Sequence, residues 1–282
     1  MRFEVLDSLS LPGDPGKPNE DAFAAEPGAA VVFDGATMVS EPLMPGRSDA
    51  AWIAQFGARR LMAHLQEGDA PRTALRHALT DAERSFAGLR RRAPREQYEY
   101  PFASMMLAVP GDGGFDALWY GDCAAIVLEP GGGCGLLGEA LLKRAHEAQR
   151  ARNLGQEMGV APAAALSRAE FLPRLRAARN KVNTPGGDWL FSPEAKTSEH
   201  VKRARLAPPP GTLILLCTDG FLALTGDFGA MATSALVEAA RDRGLQALGA
   251  ELRAIEDADP EGRKFPRFKR SDDATAVLLR LV

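Results

Sequence analysis

With 282 residues, 45% of them apolar, the chain can bury a substantial core as one large domain or two small ones. A formal net charge of −3 gives no electrostatic reason to expect nucleic acid as a partner. No apolar run approaches the ~18 residues of a membrane span, and the opening Met1-Arg2-Phe3-Glu4 is strand-like, not a targeting leader.

Strands are expected over 3–9, 22–25 and 29–33. Ser48 or Asp49 then caps a helix to about Gln66, with Ile53, Ala54, Ala58, Leu61, Met62 and Leu65 at helical spacing. Gly68 stops it. Asp69 caps a second helix with Pro71 in its first turn and Leu75, Leu79, Ala82, Phe86 and Leu89 along one face. A meander over 104–109, 115–120 and 124–129 follows, turning at Gly111 to Gly114 and at Gly121-Asp122. Residues 139–156 read as a helix. From about 159 to 210 the periodicity breaks down, and Pro208-Pro209-Pro210-Gly211 closes the stretch. Few apolar residues are available there for firm packing, which suits a substrate flap or a plain surface excursion. A strand at 213–217, helices at 230–241 and 245–257 split by Gly244, and a strand at 274–281 complete the chain. Strands at the ends and middle, with helix pairs between them, are not a βαβ alternation. They predict an α+β fold of two packed sheets with helix pairs outside.

Four acidic motifs abut the apolar runs: Asn19-Glu20-Asp21, Asp34-Gly35, Asp219-Gly220 and Asp272-Asp273. Asp34 and Asp219 end their strands, whereas Asp21 and Asp273 begin theirs. All can share one sheet edge only if the strands run in opposite senses, so the sheets are expected to be antiparallel or mixed. Carboxylates gathered there repel one another unless cations sit among them. Oxygen ligands without Cys or His suit Mg²⁺ or Mn²⁺. The glycine after Asp34 and Asp219 is expected to permit unusual backbone angles and a tight turn. One carboxylate of the Asp272-Asp273 pair is free to accept backbone hydrogen bonds in the loop instead of serving a metal. Two ions sharing a carboxylate would activate water for phosphoester hydrolysis without a protein nucleophile.

Other candidates read as structural. His64, His77 and His146 fall in helices and His200 in the irregular stretch. Arg90-Arg91-Arg92 and the basic run 263–270 read as a solvated helix end and a basic loop. Cys123 and Cys217 lie in apolar strands as buried thiols, and the three cysteines have no metal-ligand spacing, which fits a reducing cytoplasm.

Taken in order, Asn19-Glu20-Asp21-Ala22, Val32-Phe33-Asp34-Gly35-Ala36-Thr37, Tyr120-Gly121-Asp122, Cys217-Thr218-Asp219-Gly220 and Ser271-Asp272-Asp273-Ala274-Thr275 resemble the successive motifs of the PP2C-type (PPM) metal-dependent protein phosphatases. The resemblance covers about residues 3–282 and is to a divergent, bacterial-like member. It implies a single domain over 1–282, folded as a four-layer αββα sandwich with a flap-like insertion at about 159–210. It also implies two Mg²⁺ or Mn²⁺ ions and a weaker third. Asp34 would then bridge the metals and the Gly35 carbonyl would bind one. Asp219 and Asp272 would hold the other. Asp21 and Glu20 would act at the second ion directly or through water, and Asp122 would serve a weaker third ion.

The departures from the family pattern concern phosphate recognition. The usual Arg ahead of the first acidic motif is missing, and only Lys17 stands nearby, a point charge without the bidentate fork of Arg. The glycine pair after Asp-Gly is replaced by Ala36-Thr37-Met38, and Ser-Arg after Gly-Asp by Cys123-Ala124. The expectation is a cytoplasmic hydrolase that removes phosphate from serine or threonine of a phosphorylated protein, opposite a kinase. Asp34 and Asp219 would be central to catalysis, with Lys17 on the phosphate. The alternatives are a phosphatase of this fold acting on a small phosphorylated metabolite, and a catalytically weak module that binds phosphoproteins.

Overall fold

The computed structural model describes residues 1–164 and 169–282. Its strands are β1 (Phe3–Leu11), β2 (Asp21–Glu26), β3 (Ala29–Gly35), β4 (Ala103–Gly111), β5 (Gly114–Tyr120), β6 (Ala124–Leu128), β7 (Cys134–Leu137), β8 (Lys202–Leu206), β9 (Leu213–Cys217) and β10 (Ala274–Leu281). The helices are α1 (Asp49–Gln66), α2 (Pro71–Leu89), α3 (Ala140–Met158), α4 (Leu172–Arg179), α5 (Asp219–Gly226), α6 (Thr233–Arg243) and α7 (Leu245–Ala258).

The central strands are apolar on both faces because each face meets a different core. In β3, Val31 and Phe33 belong to one cluster and Ala30 and Val32 to another. In β10, Ala276 and Leu278 face one way and Val277 and Leu279 the other. Side chains alternate across a strand, so such a strand must lie between two layers. Two antiparallel five-stranded sheets result, ordered β1-β10-β9-β6-β7 and β2-β3-β4-β5-β8. Phe3, Val32, Met106, Phe115, Ile214, Leu216 and Leu279 fill the space between them. Helices α1 and α2 cover the second sheet, and α5, α6 and α7 cover the first. This is the expected α+β, four-layer αββα sandwich.

Local signals explain some element boundaries. Ser48 caps α1 by accepting the Ala51 N–H at 3.1 Å. The left-handed Gly244, at φ 81°, separates α6 from α7. Asp69 does not cap α2, which begins after Ala70 without a side-chain cap. Its carboxylate instead lies 2.7 Å from His77 Nδ1. The basic runs are also less solvated than expected. Arg92 binds the buried Glu99 through two nitrogens, and the buried Arg267 pairs with Asp259 at 3.0 Å.

The stretch 159–210 differs from its expected looseness in its second half. Phe191 is fully buried, edge-on to Phe33 with ring centroids 5.0 Å apart. It exchanges both backbone hydrogen bonds with Ala103, at 2.9 and 3.0 Å. Tyr120 donates its buried hydroxyl to the Thr197 carbonyl at 2.6 Å. Strand β8 then closes the sheet edge with Lys202 and Arg203, charges that suit an exposed edge. Apolar residues are sparse here, but Trp189, Leu190 and Phe191 all reach the core. Residues 165–168 of the expected flap lie outside the described residues. Among the described residues, no helix is long and apolar enough to cross a membrane.

Phe191→Ala should therefore destabilise the protein by about 3–5 kcal/mol, the usual cost of deleting a buried phenyl ring. Urea unfolding measures it. A loss below about 1 kcal/mol would show that this segment is not part of the core.

Candidate active site

Strand register brings the acidic motifs together. Asp21 pairs directly with Asp34 across β2 and β3, and Asp34 with Ser104 across β3 and β4. In the other sheet Cys217 lies between Ala124 and Ala276. Asp219, Asp122 and Asp272 therefore leave their strands at one level. The two sheets present these ends to a single cavity of about 340 Å³, lined by Asp34, Gly35, Ser104, Asp122, Asp219 and Asp272. Asp21, the register partner of Asp34, is buried and does not line it.

Each carboxylate is aimed by its own partners. Thr218 Oγ1 donates to Asp21 Oδ2 at 2.8 Å, while Asp21 Oδ1 is buried with no hydrogen-bond partner among the described residues. Ser104 donates to Asp122 at 2.5 Å. Glu20 accepts from Thr37 at 2.6 Å and from Ser48 at 2.5 Å, so the α1 cap also orients it. Asp273 accepts the N–H groups of Gly13 and Glu20 at 2.7 and 2.6 Å, the loop role open to one of the pair. Asp272 accepts from Lys269 at 2.8 Å.

The two glycines act by closeness, not by unusual angles. Neither Gly35 nor Gly220 has a positive φ. A Cβ on Gly35 would lie 2.5 Å from the Glu20 carbonyl oxygen, and one on Gly220 would lie 1.9 Å from that of Asp273. Asp219 does not sit in a turn either. It opens α5, where the helix N-terminus favours a negative charge.

Electrostatically the cluster is overloaded. Burial, then Asp219, Asp21, Asp122 and Asp272, push the Asp34 carboxyl well above the usual range. Burial and Asp273 do the same to Asp21 despite the Thr218 hydrogen bond. Burial raises Asp219 to about 6, even with Arg144 opposing. Asp272 is lowered: burial works against it, but Lys269 overrides burial. A buried carboxylate oxygen without a partner, amid carboxyls that resist ionisation, is an environment short of positive charge. The donor set is all oxygen, so hard divalent cations fit it.

Several residues of the cavity escaped the sequence reading. Arg144 of α3 reaches Asp219 Oδ2 at 2.7 Å and grips Asp227 at the far end of α5. Glu147, one turn on, is pushed up to about 7 by burial and by Asp219 and Asp122. Arg179 of α4 lines the cavity, donating to the Ala36 carbonyl at 3.4 Å. No motif marks these residues, because their partners are distant in sequence. Lys17 is the converse. Its side chain is 76% exposed, its ammonium lies 3.5 Å from Asp14, and it lines a neighbouring groove instead of the acidic cavity. It sits on a surface turn closed by its own N–H to the Asp14 carbonyl.

Known proteins show the same arrangement of elements. The Mycobacterium tuberculosis serine/threonine phosphatase PstP/Ppp is similar over 100% of this chain and 99% of its own, with 15% identity and a TM-score of 0.58. The catalytic domain of PstP in complex with two manganese ions matches over 100% and 99%, at 14% identity and a TM-score of 0.57. The PPM Ser-Thr phosphatase MsPP of Mycobacterium smegmatis, in complex with cacodylate, matches over 99% of each chain, at 18% identity and a TM-score of 0.56. At these identities the likeness is one of fold. No curated protein matches the sequence. Residues 14–253 match the family model for protein phosphatase 2C. With that match spanning most of the sequence that carries the acidic motifs, the chain belongs to the protein phosphatase 2C family.

Proposed function

We propose that this chain hydrolyses phosphoserine and phosphothreonine in proteins with the help of two hard divalent cations, Mg²⁺ or Mn²⁺. The observation that carries the reading is the convergence of Asp34, Asp122, Asp219 and Asp272 on one cavity, with Asp21 buried beside Asp34, where the carboxyls are undercompensated by the cations around them. Asp34, Asp219 and Asp272, with Asp21, Glu20 and the Gly35 carbonyl, would hold the ions, and Asp122 would serve a third. When bound, such ions supply a Lewis acid that acidifies water and neutralises charge on the phosphoryl group. The manganese-bound PstP domain supports this choice of metal.

The chain's own residues hold this set in place. Thr218, Ser104 and Lys269 fix the rotamers of Asp21, Asp122 and Asp272. Arg144, anchored by Asp227, draws Asp219 toward the cavity wall.

Phosphate recognition passes to Arg179 in this reading. Among the described residues it is the cavity-lining cation without an ion pair; Arg144, Lys143, Arg267 and Lys269 each have a carboxylate. Its guanidinium can meet a phosphate through two nitrogens. Arg179 ends α4, so residues 159–164 and 169–182 are the part of the irregular stretch that we assign as a substrate flap. The free, buried thiols of Cys123 and Cys217 fit a reducing cytoplasm shared with kinases that make the substrate.

Asp34→Asn and Asp219→Asn should each lower turnover of a chromogenic aryl phosphate by ~10²-fold or more, the scale of losing a major electrostatic stabiliser. The assay is run with Mn²⁺ and with EDTA. Activity that survives chelation sinks the metal-dependent reading.

Arg179→Ala should raise KM for a phosphopeptide by about 10-fold or more, since a hydrogen bond to a charged group contributes about 1.5–3 kcal/mol. Lys17→Ala should leave KM unchanged. The reverse result would return phosphate recognition to Lys17.

A further inference from the structure

The connection between α1 and α2, remote from the acidic cavity, carries a second cluster of a different chemistry. His64 lies in the last turn of α1, Glu67 is its C-cap, Asp69 is in the linker and His77 is in the second turn of α2. One ligand atom each from His64, Asp69 and His77 lie within 4.8 Å of one another. Asp69 Oδ2 is 2.7 Å from His77 Nδ1 and 3.7 Å from His64 Nδ1. Glu67 Oε2 is 3.4 Å from His64 Nδ1 on the same side.

The other nitrogen of His64 is already committed. Nε2 lies 2.9 Å from Asp81 Oδ2, and Arg60 donates to that oxygen at 2.6 and 2.8 Å. Asp81 can only accept, so in the neutral imidazole Nε2–H donates to it and Nδ1 is left toward Asp69 and Glu67. A carboxylate behind an imidazole is the arrangement that fixes the tautomer and orientation of metal-binding histidines. The His64 side chain is only 12% exposed, and both helices are pinned by buried Leu61, Leu75 and Leu79. The ligands are thus presented by two packed helices joined by a short linker.

We propose that His64, Asp69 and His77, with Glu67 as a fourth ligand, form a structural site for Zn²⁺ that clamps α1 to α2. Two imidazoles and two carboxylates suit a tetrahedral, borderline-soft ion. In such a site Zn–N and Zn–O distances near 2.0–2.2 Å put neighbouring ligands about 3.3 Å apart. The Asp69–His77, His64–Glu67 and His64–Asp69 separations, at 2.7, 3.4 and 3.7 Å, lie around that value, and His64, Asp69 and His77 all fall within 4.8 Å of one another. The acidic cavity has no imidazole and takes hard ions, so the two centres sort metals by ligand type. A filled site would tie the last turn of one helix to the second turn of the next, independently of any reaction in the cavity.

The test is calorimetric titration of Zn²⁺ into the full-length protein in excess Mg²⁺, followed by Co²⁺ spectroscopy. Wild type should bind one Zn²⁺, give the intense visible bands of four-coordinate Co²⁺, and gain thermal stability on binding. His77→Ala should abolish all three. His77→Gln, which keeps a donor toward Asp69 but removes the imidazole, should do the same and guards against a folding defect. Asp81→Asn should weaken binding by about 10–100-fold through the tautomer of His64. Equal Zn²⁺ binding by wild type and both His77 variants overturns the proposal, as does no binding by wild type. These readouts use no turnover, so they stand or fall separately from the phosphatase reading.

Discussion

Like charges crowded in a low-dielectric place are the constraint on which this structure turns. Asp21 and Asp34 face each other across adjacent strands, a pairing that costs stability in an ordinary sheet. Asp122, Asp219 and Asp272 close the same cavity. Unscreened repulsion at that depth is large. The surroundings are organised to contain it: hydroxyls from Thr218 and Ser104, the guanidinium of Arg144, the ammonium of Lys269 and the N-terminus of α5. These partners leave the cluster undercompensated, as the buried, unpartnered Asp21 Oδ1 and the raised carboxyls of Asp21 and Asp34 record. The fold holds a site that is strained without cations and relieved by them.

The sandwich was legible because its central strands are apolar runs and its helices show apolar periodicity with glycine and proline punctuation. The acidic ends of those runs could be placed at one edge from strand direction alone. What escaped was whatever depends on context. Strand β7, Cys134–Leu137, is short and contains a glycine, and β8 reads Lys-Arg-Ala-Arg-Leu, a charged edge without an apolar signature. Helix α5 hid inside an apolar run continuous with β9, where periodicity does not separate strand from helix. The glycines of the two Asp-Gly pairs were visible, but their reason was not. It is the approach of another backbone, which only the folded chain reveals.

Positive charge around the cavity was the least legible part. Proximity in sequence to the first acidic motif pointed to Lys17, which the fold turns outward beside Asp14. Lys269 and Arg267 lie close in sequence to Asp272, but Lys143, Arg144 and Arg179 come from α3 and α4 and reach the cavity only through packing. Arg144 is held by Asp227 and Asp219, two residues spaced by the length of α5. Such a contact has no local pattern. The carboxylates, by contrast, are placed by strand register, and register can be read.

The order of strands carries a kinetic consequence. Strand β10 lies between β1 and β9, so the first strand of the chain has no neighbour in its sheet until residues 274–281 are available. The second sheet takes β2, β3, β4 and β5 in sequence order and can assemble as a meander well before that. The loop closed by β1 and β10 is the longest in the molecule, and long-range pairing is slow to form. During synthesis β1 must wait, apolar face exposed, while the rest of the chain is made, a period in which unpaired edges invite aggregation. Asp272 and Asp273 arrive with the strand that ends the wait, so the metal-binding edge and the first sheet are completed in the same event.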